Sequence, residues 1–487
     1  ATVHVTNLDA GNQWNFGREY NIVNAGNVSD HFNSNVDVIA PPAVDPTLTY
    51  PNSNDVNLQI LTQFHNNNQL PGTVNQENFA EYLDKQAPAA APNGVNPDLN
   101  NLLNTLATQT GNAGNLQPLN AYLGDTYAAF DTAGYWNANR FTNRVATHAL
   151  QSSGTDWTQS FALNSSEGLG GMSSQMSLVK QLTNARPVYG FVSTNTQVVD
   201  YDDGDTDANN QGLWADVSGV RLSNDGDSYL GSPDFRLNSK SITVGYQGGS
   251  HRFSWGVVGG YHDGDFNFNN RDASGKQSGW DLGLNGLYQS KSGTYVNGVL
   301  AYNHDSNDLT RNDGSGANNS SFGSHTLSAM VEVGKRIKRD NNITYTPYVS
   351  LLGVKYDRDG ASEGGDGYGL DVLGASHSYL TSNLGIRIGK TYLDKKGDKK
   401  AGVMLGVSWM HQFSGTGFPV TASLQAGEPG TGTYQVYGTP LSSDSIGVQL
   451  GGYGRLGKNT LGFLNYNGNF SSNQKVNSIT AGIEYQF

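Results

Sequence analysis

From Leu213 to the last residue, apolar and polar positions alternate with a period of two. Ile242, Val244 and Tyr246 alternate with Thr243 and Gly245, and after Gly248-Gly249 the pattern resumes in Phe253, Trp255, Val257, Gly259 and Tyr261. Trp280, Leu282, Leu284 and Tyr288 follow, then Val296, Leu300 and Tyr302, and then Leu327, Ala329, Val331 and Val333. Similar runs continue to Ile479, Ala481, Ile483, Tyr485 and Phe487. Side chains on a strand point alternately to its two faces, so each run predicts a strand with one apolar and one polar face. The pattern predicts about 12 segments of about 10 residues, the length a tilted strand needs to cross a bilayer.

The expected connections also alternate. Short links fall at 247–250, 290–293, 338–341, 391–398 and 457–459, and long ones at 222–235, 264–276, 305–323, 357–376 and 414–442. Short turns on one side and long loops on the other are the habit of a membrane barrel. The short turns are basic (Lys291, Lys335, Arg336, Lys338, Arg339, Lys395, Lys396, Lys458), whereas the long loops carry Asp265, Asp272, Asp305, Asp308, Asp313, Asp357, Asp359, Glu363 and Asp366. Tyr246, Tyr261, Tyr288, Tyr302, Tyr356, Trp409 and Tyr466 stand at segment ends, where a headgroup-level aromatic girdle belongs.

Upstream the period changes. Residues 1–65 hold short β-prone pieces punctuated by Asn, Gly and Pro. Residues 75–150 take helical spacing: Phe79, Tyr82 and Leu83; Leu99, Leu102, Leu103 and Leu106; Leu119, Tyr122, Leu123, Tyr127 and Phe130; and Trp136 through Leu150. Residues 85–98, rich in Ala and Pro, read as a loop. In residues 151–211, Met172, Met176, Val179 and Leu182 could lie on one helix face, and the acidic run Asp200–Asp207 reads as a solvated linker.

Composition changes this picture little. The mean hydropathy is -0.50 and no stretch approaches the roughly 20 apolar residues of a spanning helix. That excludes a helical membrane protein but not a barrel, whose lumen-facing half is polar. Cysteine is absent, and a closed barrel needs no disulfide. The net charge of -13 argues against nucleic acid as a partner. The sequence starts at Ala1 with no signal peptide in view, so it reads as a mature fragment with its export signal upstream.

No residue set predicts catalysis, a cofactor or a metal. There is no Gly-x-Ser-x-Gly elbow and no His-Glu-x-x-His pair. Gly452-Tyr-Gly454-Arg-Leu-Gly457 matches a dinucleotide fingerprint by letter, but no strand–turn–helix surrounds it. His251, His262, His325, His377 and His411 are scattered over separate strands and loops. By alternation Asp281, Asn285, Glu332, Arg387 and Gln412 face the lumen, and charges inside a membrane segment mark a hydrated interior. A helix in the pore could pair with them through Arg140, Arg144 or Lys180.

These residues resemble the autotransporters of type V secretion. Thr480-Ala-Gly482-Ile-Glu-Tyr485-Gln-Phe487 looks like the family's carboxy-terminal assembly signal, with Thr480, Gly482, Tyr485 and Phe487 its marked positions. Gly212-Leu-Trp214-Ala is similar to the family's first strand, so closure of the barrel is expected between Trp214 and Phe487. Leu123 through Leu150 resembles the helical linker, and Tyr20 to Phe64 resembles the last rungs of a pertactin-like passenger β-helix.

The resemblance implies a mainly β chain: passenger rungs at 1–65, a helical linker at 66–150, a plug or linker segment at 151–211 and an antiparallel translocator barrel at 212–487. It implies a monomeric, non-enzymatic barrel in the bacterial outer membrane, with its passenger end at the cell surface. Partners would be outer-membrane lipid, the barrel-assembly machinery, periplasmic chaperones and its own passenger. A passive porin with an amino-terminal plug is the alternative. Asn209-Asn210 lacks the helical setting of the self-cleavage site used by some members. Either 134–150 or 167–184 could fill the pore.

Overall fold

The computed structural model describes residues 4–5, 13–28, 31–32, 37–38, 40–90, 93–152, 211–250, 252–393, 395, 399–415, 417–457 and 459–486. Lys180, the 167–184 segment, Asp200–Asp207, Asn209-Asn210 and Phe487 lie outside the described residues.

Twelve long antiparallel strands close into a barrel. In chain order they are Gly212–Asn224, Phe235–Gly249, Phe253–Phe268, Ala273–Gln289, Thr294–Asn312, Ala317–Lys335, Ile343–Arg358, Ala375–Leu393, Lys399–Ser414, Asp444–Arg455, Thr460–Phe470 and Gln474–Gln486. Each pairs with its neighbour in sequence, and the twelfth pairs with the first from Gln474↔Asn224 to Gln486↔Gly212. Closure removes the free edges, so the first and last strands pair as the inner ones do. Among the described residues no helix is long and apolar enough to cross a membrane, and the strands do the crossing.

Outward positions at mid-height are large and apolar: Val257, Leu282, Leu284, Leu300, Val331, Leu351, Leu384, Leu405, Leu450 and Leu464 are all exposed. In water such a belt would be an uncovered apolar surface, and lipid is the solvent that suits it.

The strands run well past the bilayer. Thr294–Asn312 and Ala317–Lys335 have 19 residues each, against the roughly 9–11 a crossing needs. The long loops expected at 264–276 and 305–323 are therefore mostly strand, with only 269–272 and 313–316 left as turns. The reason is an inversion of polarity between the two faces. Above Tyr261, Trp280 and Tyr302 the outward residues become polar (Asp265, Lys276, Asp308, Asn319), while Phe266, Leu309 and Phe322 point inward and are buried. Alternation continues, but with apolar inside and polar outside, because this part of the wall stands in water around an apolar filling. Tyr356, expected in the girdle, belongs to that filling: it is fully buried inside the barrel.

The described residues between 13 and 127 form a cap over the long-loop end. α1 (Val74–Asp84) starts where Gln76 accepts a hydrogen bond from the Thr73 backbone, which satisfies a free donor at the helix start. α2 (Gln86–Ala89) is a single turn inside the segment expected to be loop. α3 (Pro97–Ala113) is capped by Asn96, whose side chain accepts from Leu99 N at 2.9 Å, and stops at Gly114 with φ 64°. Its buried face is Leu99, Leu102, Leu103 and Leu106. The helix expected over Leu119–Phe130 is broken by Gly124, which has φ 70°, into two short 3-10 turns.

The parallel rungs expected over residues 1–65 are corrected by the register. Glu19–Asn24, Asp55–Thr62 and Val44–Thr49 form one antiparallel sheet in that order. Only the turn 50–54 joins the last two, and so short a link permits an antiparallel hairpin but not a parallel crossover. The one parallel pairing described here, His4–Val5 with Asp37–Val38, covers two residues per strand. The Asn104 amide ties α3 to this region, donating to Trp14 O and accepting from Trp14 N, both at 2.7 Å.

The cap rests on a small sheet built from the surface loops, Ala361–Ser362, Leu370–Val372, Pro419–Leu424 and Tyr434–Tyr437. Asn75 is fully buried there; it donates to Tyr437 O and accepts from Tyr437 N, both at 2.8 Å. Asn75→Ala strands both backbone groups at a cost of about 1–3 kcal/mol. Tryptic cleavage after exposed Lys85 should then be faster than in the parent, and an unchanged rate would show that Asn75 does not hold the cap.

Candidate functional site

Among the described residues one helix occupies the lumen. α4 (Ala128–Ser152) enters at the long-loop end and ends near the short turns. An α-helix with side chains is roughly 10–12 Å across, so the wall must make room for it. Glycines on both sides do so at the tight places: a Cβ on Gly283 of the wall would meet Val145 Cγ2 at 2.9 Å and Phe141 at 3.1 Å, and one on Gly134 of α4 would run into the Tyr356 ring.

At the outer mouth three arginines, one from a turn and two from strand ends, hold the first turn of α4 and the segment leading into it. Arg271 donates to both carboxylate oxygens of Asp125, at 3.1 and 2.6 Å. Arg311 bonds Ala121 O and both oxygens of Glu363. Arg358 Nε donates to Asp131 Oδ1 at 2.9 Å, and His377 Nε2 lies 3.4 Å from Asp131 Oδ2. Burial pushes the Tyr122 phenol up to about 12, so it stays neutral in the cap seam. Phe130 packs at 4.4 Å from Phe266 and 5.2 Å from Phe322, ring centre to ring centre.

Midway, polar contacts replace aromatic ones. Tyr135 bonds Gln412 Oε1 and Thr381 Oγ1, each at 3.1 Å. Asn137 donates to Gln277 Oε1 at 2.8 Å, and Thr142 meets Ser328 at 2.6 Å. At the inner mouth Arg144 lies 3.3 Å from Asp216 and bonds Ser218, Ser241 and Thr243. His148 Nε2 lies 3.4 Å from the other Asp216 oxygen, and its ring stacks on Trp214 with centroids 3.6 Å apart.

All five expected lumen residues are buried inside the wall, but few reach the helix. Gln412 does, through Tyr135. Asp281 pairs with His262 at 3.2 Å, and His262 reaches Asp305 at 2.9 Å. Glu332 and Arg387 pair with each other at 2.7 Å. Neither oxygen nor nitrogen of the buried Asn285 amide has a partner among the described residues. Of the expected helix residues, Arg140 donates to Asn137 on its own helix at 3.1 Å. Arg144 finds Asp216, which the sequence reading overlooked although it stands alone between inward Trp214 and Ser218 in an alternating run.

The last strand closes on the first, while Phe487 itself lies outside the described residues. Glu484 is the register partner of Trp214, whose side chain points into the lumen, while backbone bonds seal the seam. Of the expected assembly-signal positions, Thr480 is fully buried, Gly482 lies against Phe463 and Tyr485 is exposed. Among the described residues no cluster of His, Cys, Asp or Glu could hold a metal.

A family model, the autotransporter beta-domain, matches residues 213–467, more than half of the chain. The chain belongs to the autotransporter family. It is an outer-membrane β-barrel translocator of type V secretion, carrying its own passenger end. Similar solved autotransporter structures include the translocator domain of NalP from Neisseria meningitidis, at 14% identity over 59% of this chain and 90% of that one, with a TM-score of 0.48. The transport unit of AIDA-I from Escherichia coli matches at 15% identity over 60% and 93%, with a TM-score of 0.41. The beta domain of the Bordetella autotransporter BrkA matches at 16% over 57% and 99%, with a TM-score of 0.43. No curated protein matches the sequence significantly.

Proposed function

We propose that this autotransporter barrel is held here in its post-export state, with the cap at the cell surface and α4 left in the pore as its seal. The direction of α4 carries the reading: its amino end meets the long-loop end and its carboxyl end meets Trp214 and Asp216 in the first strand, beside the short basic turns. A chain exported through the barrel while still attached to it would come to rest in that way. The passenger would cross unfolded, because a folded β domain exceeds the lumen of a barrel with about 12 strands. Insertion would use the barrel-assembly machinery and periplasmic chaperones, reading residues 480–487. The work is transport, not catalysis, and the occupied lumen speaks against a passive porin.

The absence of cysteine makes the test clean. In whole cells a membrane-impermeant maleimide should label Asn101→Cys, on the exposed face of α3. Lys291→Cys, in a short turn, should label only after the outer membrane is permeabilised. The reverse pattern would overturn the orientation.

A further inference from the structure

Where the cap meets the barrel rim there is an open cleft of about 670 Å³, within the range of roughly 300–1,000 Å³ usual for small-ligand sites. It lies between the start of α1, the turn 115–120 and the loop 225–234. We infer that this cleft binds a neutral saccharide.

The lining decides the ligand class. Apart from Pro71, the side chains are amides, hydroxyls, carboxylates and one guanidinium, so an apolar ligand gains little there. The guanidinium is Arg271, already committed to Asp125 and to the Gly231 and Asn270 carbonyls. An anion would therefore meet Asp227 and Asp234 without an available counter-charge. A polyhydroxylated neutral molecule fits what remains. Asp227 spends one oxygen on the Tyr229 and Leu230 backbone, and Asp234 one on Asn269, and the second oxygen of each is open to a hydroxyl donor. Asn120 accepts from Gln76 at 2.8 Å and keeps its own N–H groups to donate. The Gln117 amide and the Ser228 hydroxyl point to no protein partner among the described residues. Sugar hydroxyls both donate and accept, so they can pair with this mixed set.

The cleft is also held in shape: Val74 and Asn75 donate to Tyr229 O and Leu230 O at 3.2 and 3.0 Å, so loop and helix move together. Preorganised polar groups bind without an ordering cost.

The test uses the full chain in detergent on an array of neutral hexose and N-acetylhexosamine oligosaccharides. Sialylated and sulfated glycans serve as the anionic comparison, and lipopolysaccharide sugars from the producing cell as a separate arm. Binding to neutral glycans is expected, weakened at least tenfold by Gln117→Ala with Asp234→Ala. Lys291→Ala, at the opposite end of the barrel, should bind as the parent does. Binding confined to the lipopolysaccharide arm identifies the cell's own sugars as the source, and binding to free oligosaccharides an external one. No binding in either arm, a preference for anionic glycans, or full affinity in the double variant overturns the inference. The assay is independent of membrane orientation, so its failure leaves the labelling result standing.

Discussion

Asp216→Ala should give a barrel that assembles and leaks. The backbone ladder between the first and twelfth strands does not involve this side chain, so heat-modifiable mobility on gels should persist. The Arg144 guanidinium, however, loses the one carboxylate within ion-pair range among the described residues while 2% exposed, and His148 loses the same partner. Removing one member of a buried pair costs about 3–5 kcal/mol, because the remaining charge has neither water nor counter-charge. That loss falls on the seating of the carboxyl end of α4. Single-channel conductance in planar bilayers should rise well above the parent level, and the unfolding midpoint should drop. Arg144→Met combined with Asp216→Leu should recover much of the loss, since an apolar pair of similar volume removes both desolvation penalties. Parent-like conductance and stability in Asp216→Ala would sink the idea that this pair locks the inner mouth.

Gly134→Val should unseat the helix at the other end. The added Cβ would run into the Tyr356 ring, which is fully buried between α4 and the wall. Neither side can yield easily: Tyr356 lies on a paired barrel strand and Gly134 inside a helix. Overpacking of this kind costs about 1–3 kcal/mol, and the cheapest relief is for α4 to shift out of the lumen. The expected result is raised conductance with the cap more open to protease. Tyr356→Ala should rescue Gly134→Val, because it vacates the space the new methyls need. A double variant as leaky as the single one would point to helix propensity instead of the clash.

Much of the barrel was legible because a membrane imposes a simple code. Lipid outside and a polar lumen inside require period two, and Leu282, Leu284 and Leu300 obey it. The code fails where the wall leaves the bilayer. There Phe266 and Phe322 turn inward and Asp265 and Asn319 outward, so the same strands read as acidic loops. Tyr356 was misplaced for the same reason: an aromatic at a strand end can face lipid headgroups or a buried helix, and only the phase of its own strand tells which. Asp216 was readable as a lone inward carboxylate, but its pairing with Arg144 joins residues 72 positions apart.

Sequence alone determined the architecture, a barrel of about 12 strands preceded by helices, together with its short and long ends and its family. Those properties depend on local alternation, turn length and charge, all carried by neighbouring residues. Tertiary structure decided what fills the barrel and what covers it. The seating of α4, the Arg271–Asp125 and Arg144–Asp216 pairs and the Asn75–Tyr437 latch join distant segments. The antiparallel turn of residues 19–62 likewise rests on pairing, not pattern. Alternation tells which face a side chain takes, but its partner is set by closure of the wall, which brings together strands and helix far apart in the chain.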